Sequence, residues 1–237
     1  MTDGDTKRAS ESISVIIPCF NAARYIGEAI ESVLTQTLPS DEIIVIDDGS
    51  TDDSAKAIAG FSQHVRYIHQ ENQGISAARN RGIAEVSGDC IAFLDADDLW
   101  PHDSLETRWN CLSTSPEIDY AYGWVEPFLS PDVSPEAGQA LGAVVEARPG
   151  RLAGSLLLRR KVVETVGNFD SKFQIGETMD WIARIDAVGF SSRDVGGIVL
   201  RRRIHGTNTV IKKRKMQSDY LKVLRAAIAR RQETTGQ

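Results

Sequence analysis

The chain has 237 residues, 41% apolar and 25% charged, with a formal net charge of −6. This suits a globular protein large enough for one sizeable α/β core, and the acidic balance argues against a general nucleic-acid binder. No apolar run is long enough to cross a bilayer, and three cysteines without a CxxC pair (Cys19, Cys90, Cys111) read as reduced packing residues, not as a zinc or disulfide set.

Residues 1–12 are polar and lack an apolar signal core, which reads as a disordered leader of a cytoplasmic protein. The continuous β-branched run ISVIIPC (13–19) predicts a strand covered on both faces. In the stretch that follows, Ile26, Ile30, Val33 and Leu34 stand at helical spacing. EIIVID (42–47) is a second buried strand, ended by the turn-forming DDGS, with Ser50 or Thr51 as the expected cap of the next helix. HVRYIHQ is a weaker strand, ISAARNRGIAEV a helix and CIAFLD (90–95) a strong strand. Strand and helix alternating in this way predict right-handed crossovers and a largely parallel sheet, whose ligands bind at the carboxyl ends of the strands.

After Pro101 the pattern predicts a helix to about Ser113 and a strand near IDYAYGWV. Residues 127–150 show no clear period and read as a loop or variable excursion. GSLLLRR is a further strand leading into the helix RKVVETVG, TMDWIARIDAVG is a helix and GGIVLRRRI a strand. DYLKVLRAAIARR, with Tyr220, Leu221, Leu224 and Ile228 along one face, is a terminal amphipathic helix preceded by the basic run Lys212–Lys215. That end reads as packing on the domain, pairing in a homodimer, or touching an anionic membrane surface peripherally.

The segment FLDADDLW (93–100) packs three carboxylates, Asp95, Asp97 and Asp98, between apolar residues. Carboxylates this close repel one another and resist burial, unless a cation such as an oxygen-ligated divalent metal sits among them. An apolar strand ending in Asp-x-Asp also opens the haloacid-dehalogenase type of phosphatase. Here, however, three strands precede the motif, and the Gly and later Glu of an EF-hand loop are missing. The doublet Asp47-Asp48 reads either as a helix-capping turn or as a contact to a ligand's base or ribose, and Phe20 and Asn21 either end a strand or wall a nucleotide pocket.

Taken together, SVIIPCFN, AIESVLTQT, EIIVIDDGSTD and NQGISAARNRGIAEVSGDCIAFLDADDLW, in this order, resemble the amino-terminal half of family 2 glycosyltransferases. The resemblance covers roughly residues 12–103 with high specificity and continues less strictly to about residue 206. It implies a GT-A fold, a Rossmann-like, mostly parallel α/β sheet flanked by helices. Residues 13–103 form the nucleotide-sugar-binding half and 104–210 an acceptor-side half, with 211–237 as a basic segment and terminal helix. It implies that Pro18, Phe20, Asn21, Asp48, Arg79, Asp95 and Ala96 contact a nucleotide sugar; Arg79 reads equally as a salt bridge to Asp48 or Asp95. Asp97, and His205 in the stretch LRRRIHGTN, would hold a Mg²⁺ or Mn²⁺ cation.

FQIGETMDWIAR resembles the family's acceptor-side segment, matching it at Glu177, Asp180 and Arg184, while Thr178 stands where the family usually has the Asp assigned as base. Glu177, the nearest carboxylate, becomes the expected base. Asp180 is either catalytic or the partner of Arg184 four residues on, and Thr178 is read as the helix cap. Strand alternation turns Arg201 and Arg203 to one side, toward the diphosphate in this reading. The implied activity is metal-dependent, inverting transfer from a nucleotide sugar, most simply a UDP-sugar, to a saccharide, lipid-carrier, peptide or small-molecule acceptor. A nucleotidyltransferase of similar fold and a non-catalytic nucleotide-sugar-binding protein are the alternatives.

Overall fold

The computed structural model describes residues 11–140, 146–173 and 175–206. The leader before residue 11, the basic run and the terminal amphipathic helix lie outside the described residues.

The sequence pattern resolves into strands β1 (Ile13–Cys19), β2 (Glu42–Asp47), β3 (Arg66–His69), β4 (Cys90–Phe93), β5 (Tyr120–Leu129), β6 (Arg148–Pro149), β7 (Leu156–Arg159) and β8 (Ser192–Ile204). The helices are α1 (Ile26–Leu34), α2 (Ser54–Ala59), α3 (Ile75–Glu85), α4 (Ser104–Thr114), α5 (Pro135–Ala140), α6 (Arg160–Val166) and α7 (Glu177–Val188). All eight strands join one sheet in the order β3-β2-β1-β4-β7-β5-β6, with β8 also on β5. β1 to β4 pair in parallel, as does β8 with β5, whereas β7 runs antiparallel to both neighbours.

The β-branched runs are explained by two cores, one on each face. Ile13, Val15 and Ile17 of β1 pack with Ile26, Ile30 and Leu105 on one side. Ile16 packs with Ile44, Ile46, Phe93, Ala78 and Trp181 on the other. A strand buried on both faces has no room for the polar alternation of a half-exposed one. α3 lies so close to β1 that a Cβ on Gly82 would collide with the Ile16 side chain, so only glycine allows this approach. One helical turn earlier, α3 delivers Arg79 to the end of the sheet.

The strand order reverses between β1 and β4, the switch point at which open α/β sheets bind ligands. Pro18 helps to open it. The last β1–β4 pair is Ile16 with Phe93, and the Leu94 N–H still donates to the Ile16 carbonyl (3.0 Å). The next group on β1 facing β4 belongs to Pro18, which has no N–H to continue the ladder.

Three expectations need correction. Ser50 and Thr51 do not cap α2; the helix starts at Ser54, whose N–H donates to the Asp52 carboxylate (3.0 Å). β5 continues to Leu129 and α5 follows, so the stretch from 127 is not all loop. Thr178 is not a cap, because α7 begins one residue earlier, behind a left-handed Gly176.

Candidate active site

Beyond the ends of β1, β2 and β4 lies an open cleft of about 1000 Å³. Pro18, Phe20, Asn21, Asp48, Arg79, Asp95, Ala96, Asp97, Glu177 and His205 all line it. Of the expected site residues only Asp180 is missing. It is buried and accepts the Arg184 Nε–H (3.0 Å), while Arg184 also donates to the carbonyls of Val166 and Asn168. Helical periodicity explains this: the cleft takes Glu177, Thr178 and Met179 from the first turn of α7, and Asp180 turns into the packing beneath.

The acidic turn after β2 is built as scaffold. Asp47 accepts the Ser50 N–H (2.9 Å) and the Tyr67 hydroxyl (2.7 Å). Asp48 accepts from Gln70 Nε2 (2.7 Å) and from the backbone N–H groups of Gln73 (2.9 Å) and Gly74 (2.8 Å), which pins the loop that enters α3. Asn21 sits at φ 49°, a left-handed conformation that asparagine tolerates. Its Oδ1 accepts the Thr51 N–H (2.8 Å) and ties the β1 turn to the β2 turn. Phe20 stays half exposed at the cleft edge.

The turn after β4 is arranged differently. The Asp98 N–H closes it onto the Asp95 carbonyl (3.0 Å), and Leu99 forms an antiparallel bridge with Arg201 of β8. Trp100 then anchors the chain, donating its indole N–H to the Gly154 carbonyl (2.8 Å) under the guanidinium of Arg108. The return to Leu-Trp after the carboxylates is this anchor. Asp98 is buried and accepts the Arg203 N–H (2.8 Å). Burial pushes its carboxyl well above the usual range, and the charges of Asp97 and Asp95 add to that; the Arg203 N–H and the Arg202 charge oppose it.

Asp95 and Asp97 remain open to the cleft, with side chains 37% and 30% exposed. Asp97 Oδ2 lies 2.9 Å from His205 Nε2, and the His205 ring packs against Tyr25. Among the described residues no three His, Cys, Asp or Glu side chains gather as a metal cluster. The protein therefore offers two converging donors, one carboxylate and one imidazole. That set fits a divalent cation completed by phosphate and water oxygens.

Arg79 joins the two halves of the cleft. It reaches Asp95 through Nη2 (2.8 Å) and Glu177 through Nη1 (2.7 Å), with the Thr178 hydroxyl at 3.3 Å. Its guanidinium lies over the Phe169 ring, which stacks on Trp181. Burial works against the Arg79 charge, but the Asp95 and Glu177 carboxylates more than offset it, so its pKa rises. The sequence left Arg79 between Asp48 and Asp95; the partner is Asp95, and Glu177 is a second partner that local sequence did not indicate.

The arginine triplet of β8 splits two against one. Arg201 pairs with Glu126 and lies over Phe128. Arg203, also over Phe128, donates to the Asp97 carbonyl and to Glu28. Alternation does place these two together, but away from the cleft; Arg202 is the one that lines it.

The sequence and the fold both have counterparts in known proteins. Residues 14–167, well over half of the chain, match the family model described as glycosyl transferase family 2. An uncharacterized glycosyltransferase of Rickettsia felis is 50% identical over 98 residues, 40% of this chain and 16% of that protein. Glycosyltransferase GlyA of Streptococcus pneumoniae is 42% identical over 102 residues, 42% of this chain and 15% of GlyA. The matched stretch is thus less than a fifth of either relative. Among solved structures, S. aureus TarS 1–349 in complex with UDP-GlcNAc superposes with a TM-score of 0.71 at 16% identity, covering 92% of this chain and 66% of that one. The mannosyltransferase PcManGT from Pyrobaculum calidifontis, in complex with GDP-Man and Mn²⁺, gives 0.69 at 20% identity over 94% of this chain and 65% of that one. With a family match over most of the chain and a sheet of the same architecture, this protein belongs to glycosyl transferase family 2 and has the GT-A fold.

Proposed function

We propose that the chain transfers a sugar from a nucleotide-sugar donor, a UDP-sugar in the simplest case, to an acceptor nucleophile with inversion at the anomeric carbon. The observation that carries this reading is the convergence of Asp95, Asp97 and His205 beside the β1–β4 switch point, facing Glu177 across Arg79. Residues 13–103 supply the donor side and 104–210 the acceptor side.

In this reading Pro18, Phe20, Asn21 and Asp48 shape the nucleotide wall, and Asp95 accepts the ribose hydroxyls. Asp97 and His205 hold Mg²⁺ or Mn²⁺, which when bound neutralises the leaving diphosphate. The acceptor oxygen bonds to the anomeric carbon as the bond to the β-phosphate oxygen breaks. Glu177 takes the acceptor's proton on Oε2, its Oε1 being held by Arg79. Asp180 supports the start of α7 through Arg184.

Calorimetric titration of UDP with and without Mn²⁺ tests the donor site. Metal-dependent binding that Asp97→Ala loses is the expected result, and failure of UDP, GDP and dTDP alike sinks it. Glu177→Gln tests the base: donor turnover drops by about two orders of magnitude, the usual scale for a general base, while UDP affinity stays. Unchanged turnover removes Glu177 from that role.

A further inference from the structure

The cleft is strongly acidic, and its cations are unequally committed. Asp48, Asp95, Asp97, Asp98 and Glu177 all line it. Arg79 is spent on Asp95 and Glu177. Arg202 is partly exposed on the cleft wall and acts on Asp98 through its charge, but among the described residues it makes no direct hydrogen bond or ion pair. A guanidinium held on the cleft wall without a bonded carboxylate has its N–H fork open to a ligand's paired oxygens.

Its position is set by the strand that carries it. Arg201 exchanges both backbone hydrogen bonds with Leu99 (3.0 and 2.8 Å), and the Arg203 N–H donates to Asp98. The Arg203 guanidinium donates to the Asp97 carbonyl (2.9 Å). Both neighbours of Arg202 are therefore fastened to the carboxylate turn, and β5 holds the same strand from its other edge through the Pro127–Arg202 register. The backbone bearing Arg202 cannot shift relative to Asp97 without breaking these bonds.

Resting on the nucleotide-sugar reading above, we propose that Arg202 is the diphosphate-binding residue of this cleft, a fixed cation that pairs with the phosphate oxygens of the donor and of the departing nucleoside diphosphate. The guanidinium fork matches a phosphate's paired oxygens and needs no metal to do so. It complements the cation at Asp97 and His205 without sharing either ligand. As the sugar–oxygen bond breaks, negative charge grows on the β-phosphate, so the pairing strengthens toward the transition state.

The test is a ladder of ligands, uridine, UMP and UDP, titrated calorimetrically with Mn²⁺ into wild type, Arg202→Gln and Arg202→Lys. Uridine affinity is expected to stay within twofold throughout. UDP affinity should fall about tenfold or more in Arg202→Gln, as for loss of a charged hydrogen bond, and recover in part in Arg202→Lys. A UDP affinity within twofold of wild type in Arg202→Gln overturns the assignment, as does an equal loss for uridine, which would mean general damage. A wild-type protein that binds uridine and UDP equally also overturns it. If wild type binds none of UDP, GDP and dTDP, the nucleotide reading itself fails, a result distinct from any of these.

Discussion

Two acidic turns flank the end of β1 at the carboxyl ends of parallel strands, Asp47-Asp48 after β2 and Asp95-Ala96-Asp97-Asp98 after β4, and they are held in opposite ways. In the first, both carboxylates are buried and bonded to neutral donors, so their charge is absorbed by the hydroxyl, amide and backbone groups that shape the next loop. In the second, two of three carboxylates keep about a third of their side-chain surface open and meet cationic or imidazole partners. The same residue type at the end of a parallel strand is scaffold where many N–H groups surround it, and in the proposed function a ligand contact where few do.

Substitutions on the open turn should therefore affect chemistry, and those on the closed turn should affect folding. The largest effect is expected at Asp97. Asp97→Ala removes the carboxylate facing His205 and should lower donor turnover by about a thousandfold, roughly 4 kcal/mol of transition-state stabilisation, with the melting temperature little changed. A variant that turns over normally, or one that simply unfolds, breaks the comparison from the open side.

Arg79 comes next, because it belongs to both uses. Arg79→Met leaves Asp95 and Glu177 facing each other without the buried cation between them, which should destabilise the fold by about 3 kcal/mol and also disable turnover. Asp95→Asn in the same background relieves part of the repulsion. Recovery of denaturant stability without recovery of activity would separate the structural from the chemical role. On the closed turn, Asp48→Ala strands the N–H groups of Gln73 and Gly74 and should cost about 2 kcal/mol in denaturant unfolding. Asp48→Asn, which keeps one acceptor oxygen, should lose less.

Much of this was legible in the sequence, for physical reasons. β1, β2 and β4 are largely apolar without alternation because both faces of the central sheet are covered, and Asp95 and Asp97 stand out because carboxylates close together at the end of a buried run repel one another. Distant pairing was not legible. Glu177 reaches Arg79 across 98 positions of sequence, and the commitment of Asp48 is to backbone groups that have no sequence signature. Asp180 shows the limit of motif matching, since it fits the family segment yet turns into the packing against Arg184. The arginine triplet was read with the right alternation and the wrong side. β8 ends at Ile204, so the cleft-facing position of His205 does not fix the parity of the arginines before it.

The smallest predicted effect lies inside the open turn, at its one closed carboxylate. Burial, with Asp97 and Asp95 nearby, raises the Asp98 carboxyl above its unfolded value. The folded state therefore holds a proton that the unfolded chain has released, and stability falls as pH rises from the ordinary carboxylate range through the raised folded value. Asp98→Asn keeps an acceptor for the Arg203 N–H and removes the charge. It should match wild type in acid and become more stable than wild type as pH rises above the ordinary carboxylate range. Urea unfolding at about pH 3, below the ordinary Asp value of about 3.9, and at about pH 7.5 measures the difference. A variant less stable than wild type at the higher pH would mean that Asp98 is held as a paired anion, placing it with Asp47 and Asp48 as scaffold.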